Sequence, residues 1–242
     1  MKEKITNVIQ IRHDIVYLPN SDAPFAGKYE TYYVNGQKKR EINYKDGKKN
    51  DLTIEWYENG QKQSETNYQD GKEHELATLW YEKNGQKESE TRYQDDKENG
   101  LATRWYEKGN KESEINYKDG KENGLSTRWY EKGNKESEIN FKDGKENGLA
   151  TRWYENGQKE SEISFNEGKK NGLATEWYED GRKESEITYE DGQKNGLDTS
   201  WYEDGRKENE TIYENGQKGS QTNYAADQKE SETNYDQLDA GI

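Results

Sequence analysis

Asn147-Gly148-Leu149-Ala150-Thr151-Arg152-Trp153-Tyr154-Glu155-Asn156-Gly157-Gln158-Lys159-Glu160-Ser161-Glu162-Ile163-Ser164-Phe165 is one copy of a unit that fills most of this chain. Seven tryptophans mark its register: Trp56, Trp80, Trp105, Trp129, Trp153, Trp177 and Trp201, with gaps of 24, 25, 24, 24, 24 and 24 residues. The one long gap holds an extra residue in Lys83-Asn84-Gly85, and one period upstream of Trp56 the residue Tyr32 keeps the same frame. Eight copies follow one another from Gly27 to about Tyr213, with a decayed tail behind them. A fixed period of this length marks a repeat array.

The unit reads as two strands and two turns. Leu149, Thr151 and Trp153 alternate with Ala150, Arg152 and Tyr154, the period of a strand. Glu155-Asn156-Gly157 is a hairpin signal, and Lys159 to Phe165 alternates again. A three-residue loop with a left-handed Gly sets Trp153 across from Lys159 and predicts Ile163 and Phe165 on the tryptophan face. Asn166 to Gly172 is read as the second turn, with the next strand starting at Leu173. No span has the length or period of a helix. The expected fold is all-β: an elongated single-layer antiparallel sheet of tandem 24-residue β-hairpin repeats, curled or twisted by regular bulges. One hairpin is not stable alone; in an array each copy leans on its neighbours and stability adds copy by copy.

The phrase Trp-Tyr-Glu-Asn-Gly-Gln-Lys, then a Tyr or Phe, then Asp-Gly-Lys-x-Asn-Gly-Leu, resembles the MORN repeat in its bacterial variant form, over residues 27 to about 216. The resemblance implies a single-layer, elongated hairpin sheet. It also implies a binding and assembly module whose partners are other proteins, copies of itself or phospholipid headgroups, and it brings the antitoxin label that many bacterial relatives carry.

Composition alone, with 26% hydrophobic and 36% charged residues and a net charge of −14, points to disorder. The 12% aromatic content argues otherwise because the aromatics recur in register. A one-layer sheet has little interior to fill. The absence of cysteine excludes disulfides, thiolate metal sites and a cysteine nucleophile. No apolar signal core or membrane-spanning stretch is visible, so the expected location is the cytoplasm, unless a signal has been removed.

Residues 1–26 form a separate capping segment, with Val8, Ile9, Ile11, Ile15, Val16, Tyr17 and Leu18 as its most aliphatic part, a hairpin turning at Arg12-His13-Asp14, and both prolines, Pro19 and Pro24, just behind. It is expected to cover the open edge of the first copy. Residues 27–216 are the eight copies; 217–242 are a degenerate repeat that either caps the array or frays. In the tail, Ser220-Gln221-Thr222-Asn223-Tyr224 echoes the second strand. Asp51 and His74-Glu75 depart from the usual Asn-Gly, and Asp96 from the Gly of Asp-Gly; Glu75 is expected to mark a different turn. Copies four to seven are nearly identical.

The candidate binding surface is an aromatic stripe of Trp56, Trp80, Trp105, Trp129, Trp153, Trp177 and Trp201 with Tyr117, Phe141, Phe165 and Tyr189. Either the sheet curls and the stripe becomes the core of a half-pipe, or it stays open as a groove for a partner. The opposite face carries Tyr106, Tyr130, Tyr154 and Tyr178 with Arg104, Arg128 and Arg152, read as paired across strands to Glu112, Glu114, Glu136, Glu138, Glu160 and Glu162. The acidic turns have no calcium-loop spacing and need no metal. His13 and His74 recur with no Ser or Asp constellation, so neither an enzyme nor a cofactor is expected. Net charge −14 disfavours nucleic acid and anionic membranes. The leading function is a non-enzymatic scaffold for protein–protein interaction or self-association. The alternatives are an antitoxin or immunity protein, and a lipid-headgroup or glycan binder.

Overall fold

The structure is a computed structural model and describes residues 4–5, 8–224 and 229–233. The chain divides into two units, Met1–Lys121 and Glu122–Ile242. Each is a run of antiparallel hairpins, and among the described residues there is no helix. In the second unit Lys145–Trp153 pairs with Lys159–Asn166, which pairs with Lys169–Trp177, and so on through Lys183–Glu190, Gly196–Trp201, Lys207–Glu214, Gln217–Tyr224 and Lys229–Thr233. The first unit runs the same way from Gly27–Tyr32 to Lys111–Lys118.

Three local devices build each copy. The long loop is the expected three-residue one: the Gly157 N–H donates to the Tyr154 carbonyl and the Tyr154 N–H to the Gln158 carbonyl, both 2.9 Å, with Gly157 at φ +87°. The short turn, Asp143-Gly144, takes φ +51° and +80°, a two-residue turn whose twist suits a hairpin. Inside the next strand, Asn147-Gly148 forms a bulge: Ile139 faces Ala150, but Phe141 faces Glu146, so four steps on one strand meet two on the other. The strand therefore begins at Lys145, or at Lys169 in the following copy, rather than at Leu173. The reading of Asn166 to Gly172 as one turn is corrected. Glu75 and Asp51 stand at the bulge glycine's place with φ +63° and +65°, so Glu75 keeps the common backbone instead of marking a different turn.

A further bulge overturns the single aromatic stripe. Trp153 pairs with Lys159 as expected, but Arg152 pairs with Ser161, leaving Glu160 without a cross-strand partner. That extra residue uses up one step of the side-chain alternation. Every later residue of the strand is thereby moved to the other face. Ile163 pairs with Ala150 and Phe165 with Gly148, whereas Thr151 and Leu149 pair with Glu162 and Ser164. The same shift recurs at Trp56, Trp105, Trp129, Trp177 and Trp201, and at Trp80 it falls between Lys87 and Ser89. Tyr117, Phe141, Phe165 and Tyr189 thus lie on the face away from the tryptophans.

The apolar centre follows the corrected face. In the second unit Ile163, Ala174 and Ile187 are buried, with Phe165, Tyr189 and Tyr213 packed against them. On the tryptophan face the buried residues are small threonines, Thr151, Thr175 and Thr199, and Leu149 is exposed.

Gln10–Arg12 and Ile15–Tyr17 form the expected N-terminal hairpin, with His13 and Asp14 at φ +50° and +62°. It sits on a turn of the first copy rather than along its edge. The Val16 N–H donates to the Gly47 carbonyl at 2.9 Å, and the Gly47 N–H to the Phe25 carbonyl at 2.8 Å. The edge strand Gly27–Tyr32 is paired instead by Lys4–Ile5. In the tail, Ser220 to Tyr224 belongs to a first strand, not a second one. Gln217–Tyr224 pairs with Lys207–Glu214, and its register shifts between Asn223 and Tyr224 as it does at each tryptophan. Tyr224 holds the tryptophan position of a ninth copy; residues 225–228 and 234–242 of the proposed cap lie outside the described residues.

Candidate functional site

The tryptophan face is a ladder of rings, lysines and glutamates. Lys159 Nζ lies 5.7 Å from the centroid of the Trp177 ring, one copy on, and 2.9 Å from Glu162 Oε1. Lys135 stands likewise over Trp153 and beside Glu138 at 3.1 Å. Lys183 covers Trp201 and pairs with Glu186; Lys62 covers Trp80 and pairs with Glu65. Such a cation over an exposed ring contributes about 0.5–1 kcal/mol. Glu114, Glu138 and Glu162 are therefore held by Lys111, Lys135 and Lys159, not by arginines across the strand. The bulge has put those arginines on the other face.

That other face is a groove. In the second unit two successive stretches of it share Glu146, Arg152 and Glu160. Its floor carries Ile139, Ser137, Ile163 and Ser161; Phe141 and Phe165 stand toward the short turns, Tyr130 and Tyr154 toward the long loops. Arg152 Nη2 lies 3.9 Å from Glu146 Oε1. Two copies on, Lys194 takes the place of Glu146 and pairs with Asp198, at the place of Ala150, Nζ sitting 2.6 Å from Oδ2. Glu136, Glu160 and Glu184, all lining the groove, make no ion pair among the described residues. The first unit has its own row, with Tyr44 and Tyr68, where Lys49 Nζ stands 4.5 Å above the Tyr68 ring and Ile11 and Val16 of the N-terminal hairpin close one side.

The tyrosine after each tryptophan has a role that alternation alone did not reveal. The Tyr154 hydroxyl donates to the Trp177 carbonyl at 2.8 Å, Tyr130 to Trp153 at 2.8 Å and Tyr178 to Trp201 at 2.7 Å. Tyr33, Tyr57 and Tyr81 do the same in the first unit. Loop asparagines repeat the pattern, Asn156 Nδ2 donating to the Glu179 carbonyl at 2.8 Å. Each of these loops is thus fastened to the next copy. The signal was present in the sequence, since Tyr follows each of the seven tryptophans and Tyr32 of the first copy. What it lacked was a partner one period away.

Burial pushes the phenols of Tyr33, Tyr57, Tyr81, Tyr130, Tyr154 and Tyr178 above their ordinary range. Tyr68 is pushed up to about 12 by burial, then by Glu73. A raised phenol pKa means that the unfolded chain ionises first. Stability is therefore full below about pH 10, and for Tyr68 it is lost as pH rises through about 12. An alkaline titration followed by phenolate absorbance and circular dichroism should show tyrosines ionising late and together with loss of the sheet. Free titration near the ordinary phenol value, with the sheet intact, would contradict the fastening role.

The model of the MORN repeat variant matches residues 26–46, 52–70, 98–119, 122–143, 146–167 and 170–191, more than half of the chain. The chain belongs to the MORN repeat variant family. No curated protein matches it. The matched segments skip the third and eighth MORN copies. The third carries Glu75 and the inserted residue near Asn84; the eighth has Asp198 and Ser200 in place of Ala and Arg. Both nevertheless keep the common pairing, Lys87 facing Trp80 and Lys207 facing Trp201. The MORN fold here tolerates changes that alter sequence similarity because the bulges and turns, not those side chains, set the register.

Proposed function

We propose that this MORN array is a non-enzymatic scaffold that docks protein partners in the groove of its isoleucine, phenylalanine and tyrosine face. One contrast carries this reading. On the tryptophan face the rings of Trp56, Trp80, Trp153, Trp177 and Trp201 are already covered by lysines that glutamates neutralise. On the groove face the Phe141–Phe165 row is half-buried over an isoleucine floor, with unpaired carboxylates along its rim. Aromatic side chains beside open polar rims are the composition of protein-binding surfaces. The net charge of −14 favours a protein over nucleic acid or an anionic membrane.

The test compares two double variants with the wild-type chain in partner capture from the native cell. Phe141→Ala with Phe165→Ala is expected to weaken the specific partner about tenfold or more. Trp153→Ala with Trp177→Ala, folded by circular dichroism, should retain it. Loss confined to the tryptophan pair would move the site to the other face.

A further inference from the structure

We infer that the groove of the second unit takes a cationic polyproline-II segment, with a lysine or arginine at every third residue and proline beside it. This rests on the docking reading above and names the chemistry of the partner.

The first argument is charge. Among the residues lining the two stretches of groove there are six carboxylates and three cations. Two of those cations are already engaged: Arg152 lies beside Glu146, and Lys170 stands over the Tyr189 ring at 5.0 Å. Glu136, Glu160 and Glu184 have no ion-pair partner among the described residues. They form a row with one member per copy, each at the bulge that gives it no cross-strand partner. Each rises beside the tyrosine fasteners, whose phenols feel their charge. The next member, Glu208, is occupied, accepting a hydrogen bond from Ser200 at 2.8 Å.

The second argument is pitch. One copy is two strands wide, about 9.6 Å at the usual strand spacing of about 4.8 Å. A polyproline-II helix turns once in three residues at about 3.1 Å each, about 9.3 Å. It therefore presents the same edge to each copy in turn. An extended strand spans a similar distance in three residues, but its side chains alternate, so every second cation would point away. Seven residues of α-helix span about 10.5 Å and lose register by about an ångström per copy. The third argument is the second row: Phe141, Phe165 and Tyr189 also recur once per copy, on the far side of the isoleucine floor. Aromatic-lined grooves accept the rigid ridges of proline-rich chains. A segment of this kind sets cations along the glutamate row and prolines along the aromatic row at once.

The experiment titrates labelled proline-rich peptides against the full chain by fluorescence anisotropy. The peptides carry equal numbers of lysines at every second, third or fourth position. The period-three peptide is expected to bind about tenfold more tightly than either of the others. Its glutamate-for-lysine counterpart should not bind. Combining E136Q, E160Q and E184Q should weaken the period-three peptide about tenfold, whereas Lys135→Gln on the opposite face should leave it unchanged. Equal binding at all three periods, or equal binding of a proline-free lysine peptide, would sink the proposal as unspecific charge attraction. So would an unchanged affinity in the triple glutamine variant. Failure here with loss of the captured partner in the Phe141 and Phe165 variant would leave the docking reading standing and remove only this partner class.

Discussion

Replacing Ile163 by Ala is expected to lower the stability of the second unit by about 2–4 kcal/mol, while Leu149→Ala costs less than about 1 kcal/mol. By residue type the two are near equals, and they lie one residue out of register on adjacent strands. Ile163 is 5% exposed and packs with Ala174, Ile187 and Phe165; Leu149 is 47% exposed. Truncating the isoleucine leaves a gap that a single-layer sheet closes only in part, because its floor is backbone and small residues such as Ala150. Truncating the leucine mainly returns already wet surface to water. Urea unfolding of the two variants decides it. If the bulge at Glu160 were absent, both side chains would lie on the tryptophan face and the two costs would be alike. Since copies unfold partly as separate units in an array, hydrogen exchange should place the Ile163 effect in the copies between Lys145 and Glu190.

Gly47→Ala is expected to release the N-terminal hairpin at a cost of roughly 2–4 kcal/mol, combining left-handed strain with overpacking. Gly47 has φ +72°, and a Cβ placed there would overlap the Ile15 Cγ2 methyl and stand 2.8 Å from the Val16 carbonyl oxygen. Part of the contact is with the Val16 backbone, so a rotamer change of Ile15 alone does not relieve it. The carbonyl of the same residue accepts from the Val16 N–H of the hairpin, and its N–H donates to the Phe25 carbonyl that follows the hairpin. Limited proteolysis between residues 8 and 24, together with exchange of the Val16 amide, should rise sharply in the variant. The second unit should melt as before. Gly157→Ala, where nothing lies within 4 Å of the added Cβ, is the control for strain alone and should cost about 1 kcal/mol. A Gly47→Ala protein as resistant as wild type would mean that the hairpin is held by other contacts.

The two outcomes separate what was legible in the residues from what was not. The seven tryptophans and Tyr32 set the period, and Asn156-Gly157 and Asp143-Gly144 set the turns, because left-handed backbone at those places strongly favours Gly, Asn and Asp. From those alone an all-β array of hairpins follows, as does the three-residue loop that puts Trp153 opposite Lys159. The Asn147-Gly148 pair looked the same in sequence but sits within a strand as a bulge. Asn-Gly specifies a left-handed glycine, not which of the two devices uses it.

The sequence by itself determined the repeat, its register marks and the pairing of successive strands, since these rest on local backbone preference and period-two alternation. The tertiary structure decided which face each side chain occupies. A bulge is an agreement between two strands about which residue goes unpaired, and Glu160 carries no mark of being that residue. Its effect is out of proportion to its size, because one unpaired residue inverts the whole strand beyond it. That inversion parts Phe141, Phe165 and Tyr189 from the tryptophans, hands Glu162 to Lys159, and leaves Glu136, Glu160 and Glu184 facing an open groove.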